Sequence, residues 1–136
     1  MSDLMSRELS VYLMLADVFQ NKLNFPERDR MLVLAGSCAS LLGHESLSNF
    51  CRHLILQNNR GHMIGRYQNF ATALEGSDFQ VFLKQVAKRY PLEKAESLVE
   101  EYRSGEMLCA NDFSSPFDYY CALMKTDSEW IEDNFD

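Results

Sequence analysis

Residues 5–23, MSRELSVYLMLADVFQNKL, repeat apolar side chains with the period of an α-helix and decide the fold class. Six apolar residues recur at spacings of four, three, four, three and four: Met5, Leu9, Tyr12, Ala16, Phe19 and Leu23. This spacing places them on one helix face, and Val11, Leu15 and Val18 widen the stripe beyond half of the circumference. The pattern predicts a central helix from Ser2 to Leu23, with neighbouring helices on two sides.

The rest of the chain has the capping and turn residues that bound short helices. Asn24–Glu27 and Ser115–Asp118 each combine a capping residue with a proline in the first turn, as helix N-termini often do. Ser77–Gln80 has the spacing of a capping box, and Gly43 and Gly105 stand where helices would end. The predicted helices cover residues 2–23, 25–42, 45–57, 67–74, 77–90, 91–105 and 116–124.

Because no segment alternates with the period of a strand, these elements predict an all-α protein. We expect a single compact domain of six or seven short helices, packed as an orthogonal, irregular bundle. The chain has 136 residues, of which 46% are hydrophobic and 24% charged, a globular composition at the usual size of one domain. Residues 1–125 are assigned to the helical domain and residues 126–136 to an acidic C-terminal tail.

Apolar runs and cysteines indicate the compartment. The longest apolar run, Val11–Ala16, has six residues, too few for a secretory core or a membrane span. None of the four cysteines belongs to a C-x-x-C motif, and each lies in or near an apolar helical context. They are interpreted as buried free thiols, which are typical of a reducing compartment. The sequence therefore predicts a cytoplasmic protein without membrane contact.

The protein has a net charge of −7, and its charged residues are distributed unevenly along the chain. Residues 52–94 carry seven basic and three acidic side chains, a balance of +4, whereas residues 95–136 carry two basic and eleven acidic ones, a balance of −9. Nucleic-acid binding by the whole protein is disfavoured, because phosphate neutralisation requires positive potential across the contact face. A local basic face for a small anionic ligand remains compatible with this distribution.

The stretch 57–70, QNNRGHMIGRYQNF, is the main candidate for such a face. Gly61 and Gly65 permit backbone conformations that expose consecutive amides, and a helix N-terminus is predicted near Tyr67, a combination that binds anions. The candidate anion- or partner-binding residues are Arg60, His62, Arg66, Lys84, Lys88 and Arg89. The last three also lie in the final turns of the fifth helix, where the helix dipole explains basic side chains without any ligand.

Metal binding and catalysis receive less support. Three histidines and a cysteine lie within nineteen residues: His44, Cys51, His53 and His62. On one helix, however, Cys51 and His53 point about 200° apart, so no metal or cofactor is predicted and a metal or haem protein stays a remote alternative. Catalytic Gly-x-Ser-x-Gly, phosphate-loop and dinucleotide motifs are absent from the sequence. No catalytic residue is assigned.

The acidic tail differs from a solubilising run because it contains Trp130, Ile131 and Phe135. We expect Trp130 and Phe135 to dock on the domain itself or on a partner. The first functional hypothesis is a non-catalytic helical interaction module, an adaptor or regulatory protein that binds a protein partner. The alternative is binding of an anionic phosphate ligand or nucleic acid through residues 60–94. A homo-oligomer stays open.

Overall fold

A computed structural model describes residues 2–102 and 107–136 of the chain. The α-helices in these ranges are α1 (Ser2–Asn21), α2 (Phe25–Leu41), α3 (Glu45–Asn58), α4 (Phe70–Leu74), α5 (Ser77–Arg89), α6 (Leu92–Tyr102), α7 (Pro116–Leu123) and α8 (Ser128–Phe135). Two 3-10 helices, Met63–Arg66 and Ala110–Asp112, complete the regular structure of the described ranges, which contain no strand. The predicted all-α fold class is confirmed.

Helices α1, α2 and α3 form the centre of the domain. They are joined by short connections, so consecutive helices pack side by side, α1 on α2 and α2 on α3. Helices α6 and α7 pack on α1, α4 and α5 pack on α2, and α8 packs on α3. The arrangement leaves α2 in the middle, with α1 and α3 each covered by helices from later in the chain.

Helix α2 is enclosed on all sides over its central residues. Residues 31–39 are buried without interruption, and a Cβ atom at Gly36 would overlap the aromatic ring of Phe70 on α4. Ser48 on α3 donates a hydrogen bond from Oγ to the Gly36 carbonyl at 2.8 Å. The run of small residues in α2 therefore allows two neighbouring helices to approach its backbone closely.

Helix α1 ends two residues before the predicted position. Leu23 adopts a left-handed backbone conformation with φ of 58° and is 73% exposed, so it does not belong to the buried face. The amide of Asn24 donates to the Phe19 carbonyl at 2.9 Å and closes the turn. Gly43 ends α2 in the same conformation, as predicted, and Lys125 follows α7 with φ of 55°.

Two of the predicted helix starts are confirmed in atomic detail. The Asn24 side chain accepts a hydrogen bond from the Glu27 amide at 3.4 Å, and Ser115 Oγ accepts one from the Asp118 amide at 3.1 Å. Each capping residue precedes a helix with proline in its first turn. Capping chemistry near proline therefore located α2 and α7 correctly.

The predicted capping box at Ser77–Gln80 is wrong. The N-cap of α5 is Gly76, which has no side chain to bond the first amides. The Gln80 side chain instead donates to the Leu74 carbonyl at 2.6 Å, because the chain turns sharply between α4 and α5. The predicted end of the sixth helix at Gly105 lies outside the described residues.

A buried polar network ties the start of α2 to the end of α3. Arg28 and Asp29 are each 6% exposed and form an ion pair at 3.0 Å. Asn58 donates to the other Asp29 oxygen at 2.9 Å, and Arg28 Nη2 donates to the Leu54 carbonyl at 3.0 Å. Because buried charges require such partners, Asn58 has a structural role at the start of the 57–70 stretch.

Candidate functional site

The structure divides the predicted basic residues into two groups. Arg89 contacts Oε1 of Glu27 at 3.3 Å, and the His62 ring packs against Phe82 of α5. The other four are exposed and have no hydrogen-bond or ion-pair partner in the described residues: Arg60, Arg66, Lys84 and Lys88. These four retain their full donor capacity for an external ligand.

His62 holds the loop in place. Its Nδ1 accepts a hydrogen bond from the Ile64 amide at 3.1 Å, and its ring meets Phe82 on α5 edge-on at 5.6 Å between centroids. Burial lowers the pKa of the imidazole, while the nearby Asp29 carboxylate raises it less. A neutral ring that accepts a backbone hydrogen bond stabilises the 3-10 helix Met63–Arg66.

The helix start predicted near Tyr67 is wrong, because the helix begins three residues later. Tyr67 is extended, with φ of −115° and ψ of 147°, and α4 begins only at Phe70. Among the described glycines only Gly43 has a positive φ, so Gly61 and Gly65 do not use their left-handed freedom. Gly65 is explained by packing, because a Cβ atom there would lie 3.1 Å from the Leu56 side chain.

Trp130 and Phe135 lie on α8, against the outer face of α3. The Phe135 ring centroid is 5.2 Å from that of Phe50 and 5.1 Å from that of His53. Trp130 meets Phe50 edge-on at 5.9 Å, and Asn49 donates to the Phe135 carbonyl at 2.7 Å. An acidic amphipathic helix thus covers α3 with its aromatic side chains.

An unfilled groove lined by both apolar and polar side chains lies on the outer face of α1, between α6 and α7. It encloses about 630 Å³. Its floor is formed by Met14 and Val18 of α1, both half-buried, and Leu123 of α7 forms one wall. The opposite rim contains Tyr102, 39% exposed, and Leu108, 40% exposed. We call this surface the α1 groove.

Two lysines line the α1 groove. Lys22 Nζ lies 4.5 Å from the centroid of the Tyr102 ring, and Lys125 Nζ forms an ion pair with Asp17 at 3.1 Å. The three charged side chains that line the groove carry one excess positive charge. The rim is therefore locally basic, although the protein as a whole has a net charge of −7.

The sequence contains a weak signal for the α1 groove. Met14, Asp17, Val18 and Asn21 recur at spacings of three, one and three, which places them on one side of α1. Polar and apolar side chains alternate there, unlike on the buried stripe of the same helix. A mixed face of this kind is typical of a helix surface at the edge of a core.

Three thiols are buried and one is exposed, which corrects the prediction that all four are buried. Cys38, Cys51 and Cys121 lie in the core, whereas Cys109 is exposed. Burial raises the pKa of each buried thiol to about 12. Within residues 2–102 and 107–136, no group of three or more His, Cys, Asp or Glu side chains is arranged to hold a metal ion.

Known proteins do not indicate a function for this chain, so its function is inferred from its geometry. The chain matches no protein-family model, and no curated protein or solved structure is significantly similar to it. Of the helices in the described ranges, none has both the length and the apolar character to cross a membrane. The α1 groove and the exposed basic residues are therefore the surfaces from which a function is proposed.

Proposed function

We propose that the protein is a small helical interaction module whose α1 groove binds an acidic amphipathic helix of a protein partner. The observation that carries this proposal is the open apolar floor of Met14 and Val18 between two walls. Grooves of this form recognise helices through side chains spaced three and four residues apart. Tyr102 and Leu108 on the rim supply the kind of exposed apolar contact that partners bury.

The basic side chains of the α1 groove indicate which kind of partner helix would bind there. Lys22 and Lys125 both line the groove, Lys22 beside Tyr102 of α6 and Lys125 directly after α7, so carboxylates flanking the apolar stripe of a partner helix would meet ammonium groups there. Electrostatic complementarity of this kind determines orientation and association rate more than affinity. The same chain provides an internal precedent, because α8 combines Trp130, Ile131 and Phe135 with acidic residues and covers α3.

The interior of the chain is consistent with the cytoplasmic location that we include in the proposal. The four cysteines are unpaired, and three of them are enclosed in the core. Unpaired thiols are typical of proteins that operate in a reducing compartment.

The test uses two matched substitutions, Val18→Glu in the groove and Val81→Glu outside it. Val81 lies on α5 and is 59% exposed, so its substitution changes charge without touching the α1 groove. A library of short helical segments displayed on phage is selected against the wild-type protein, and dissociation constants of the recovered peptides are measured for all three proteins. We expect acidic amphipathic peptides that bind Val18→Glu at least about tenfold more weakly and Val81→Glu unchanged.

Leu108→Glu provides a second groove variant, since its exposed position allows a carboxylate without disturbing the core. Thermal unfolding of every variant establishes that it is folded before binding is compared. Recovery of no such peptides, or equal binding to Val18→Glu, Leu108→Glu and Val81→Glu, would contradict the proposal. So would a wild-type dimer in light scattering that both groove variants dissociate, because the occupant would then be a second copy of the chain.

A second candidate function is binding of an anionic phosphate ligand or nucleic acid through the exposed basic residues. It is favoured by the unpaired state of Arg60, Arg66, Lys84 and Lys88 within the described part of the chain. A labelled single-stranded oligonucleotide is the probe. Binding that weakens steeply with salt and disappears when Arg60 and Arg66 are both replaced by alanine supports this function. Absence of oligonucleotide binding at low salt rules out nucleic acid as the ligand of these residues.

A further inference from the structure

A second, polar pocket lies on the opposite side of the domain from the α1 groove, where α3 meets the start of α4 and the end of α8. It encloses about 320 Å³. Its polar lining consists of Asn49, Arg52, His53, Gln68 and Asn69, and Phe135 closes one side. No acidic side chain of residues 2–102 or 107–136 lines it. A pocket in an acidic protein that is lined by nitrogen donors requires a chemical explanation.

Arg52 is held in place by the backbone. Its Nε and Nη2 atoms donate to the Tyr67 carbonyl at 3.2 and 2.8 Å. A guanidinium has five N–H groups in one plane, so this contact orients the group and leaves the other N–H groups available. Because the side chain is half-buried, its orientation does not have to be selected from many exposed rotamers when a ligand arrives.

The neighbouring side chains also offer donors. The Asn69 oxygen accepts a hydrogen bond from the Thr72 amide at 2.8 Å, which leaves the NH₂ group of that side chain for a ligand. His53 is exposed with its ring against Phe135, and an imidazole carries an N–H donor in either protonation state. Gln68 is exposed and adds a second amide. Donors from α3 and from the segment just before α4 thus border one small cavity.

We infer that this pocket binds the phosphate group of a small molecule. A tetrahedral phosphate presents several oxygens at once, and the planar guanidinium of Arg52 suits two of them. The amide of Asn69 and the imidazole of His53 supply donors for the remaining oxygens. The lining has no carboxylate to repel the anion or to compete for Arg52. This site shares no lining residue with the α1 groove, so the two proposals stand independently.

The experiment titrates inorganic phosphate into ¹⁵N-labelled protein, with sodium chloride at matched ionic strength as the reference. Amide and side-chain signals of Arg52, His53, Gln68 and Asn69 report on the pocket. We expect saturable shifts of these signals in the millimolar range, the affinity of a few charge-assisted hydrogen bonds in water. Shifts confined to Arg60, Arg66 and α5, or shifts equally produced by chloride, would overturn the inference.

Two glutamine substitutions supply the matched control. Gln68→Glu places a carboxylate at the pocket mouth, whereas Gln85→Glu makes the same change on the exposed face of α5. Neither glutamine has a bonding partner in the described residues, so both variants are expected to fold, which thermal unfolding verifies. We expect Gln68→Glu to weaken phosphate binding at least about tenfold and Gln85→Glu to leave it within about twofold. Equal weakening by both would mean that phosphate senses only the overall charge, and the pocket assignment would be wrong.

Discussion

The outer faces of α3 and α1 have similar apolar side chains but different surroundings. On α3, Phe50 is covered by the aromatic residues of α8 and is 8% exposed. On α1, Met14 and Val18 lie at the bottom of an open groove. The cover on α3 is an acidic amphipathic helix of the same chain, and within the described residues no helix covers the α1 groove.

The difference shows how the two faces contribute to the protein. Covering an apolar face removes it from water and stabilises the fold by about 25 cal/mol for each Å² buried. An apolar face that remains open does not stabilise the fold in this way. Its burial by a partner would stabilise the complex instead. We therefore interpret α8 as part of the fold and the α1 groove as the binding surface. The following predictions separate these two roles.

The largest effect is expected in thiol reactivity. Helices α3 and α7, which α8 contacts, each contain a buried cysteine. Burial raises the pKa values of Cys51 and Cys121 to about 12, which lowers their thiolate fraction about a thousandfold relative to an ordinary cysteine. Cys109 is exposed. In the native protein a disulfide reagent should modify Cys109 rapidly and the others slowly, as followed by mass spectrometry of peptides. Equal rates for Cys109 and Cys121 would show that α8 does not seal this side.

The next effect is the destabilisation caused by Ile131→Ala. Ile131 is the fully buried residue of α8, and removing a buried isoleucine side chain leaves a cavity that costs about 3 kcal/mol. Denaturant unfolding monitored by circular dichroism measures the loss. Trp130→Ala is the comparison, because Trp130 is 47% exposed and should cost less. A loss below about 1 kcal/mol for Ile131→Ala would show that α8 is only loosely attached.

A smaller effect on folding stability is expected when pH changes the protonation of His44, which lies at the N-cap of α3. Its ring stacks on Phe117 at 5.9 Å, and burial lowers its pKa, although Glu45, Glu132 and Asp136 line the adjoining hollow. The unfolded state therefore takes up the proton first, so stability is full above about pH 6.5 and declines as the pH falls below it.

His44→Asn isolates this contribution, because asparagine is a good residue at the N-cap position that His44 occupies before α3. The measured quantity is the slope of unfolding free energy between pH 7.5 and about pH 5. The variant should have a shallower slope than the wild type, and His62 should account for part of the remainder with the same sign. An unchanged slope would show that His44 titrates as it does in the unfolded chain.

The smallest effect is expected from Val18→Ala in the α1 groove. Val18 is half-buried, so the lost burial is small, and the higher helix propensity of alanine offsets part of it, leaving less than about 1 kcal/mol. Denaturant unfolding under the conditions used for Ile131→Ala gives a direct comparison. A loss near that of Ile131→Ala would mean that Val18 belongs to the closed core and that the α1 groove is part of the fold.

Features set by local sequence were predictable. The period of apolar residues in α1 and the capping residues Asn24 and Ser115 depend on neighbours within one or two helical turns, and the structure confirms them. The acidic composition of residues 126–136 predicts a tail and not helix α8, and an eight-residue segment is too short to be a stable helix alone. Its conformation depends on contact with Phe50, which lies far away in the sequence.

The candidate sites depend on contacts that no local pattern contains. The α1 groove exists because α6 and α7 flank α1, and the polar pocket on α3 exists because α8 ends beside Arg52 and His53. The basic residues around Gly61 are identifiable from charge, whereas the hydrogen bond from the Ile64 amide to His62 Nδ1 is not. The charge of a segment indicates which side chains could bind a ligand, but it does not indicate how the fold arranges them.

The most direct test of the α1 groove is methyl NMR of the protein titrated with a selected acidic amphipathic peptide. Methyl signals of Met14 and Val18 report on the groove floor, and those of Val81, exposed on α5, report on an unrelated surface. We predict saturable shifts at Met14 and Val18 with Val81 unchanged. Saturable binding that shifts Val81 or α8 signals and leaves Met14 and Val18 unchanged would contradict the assignment of the α1 groove as the binding surface.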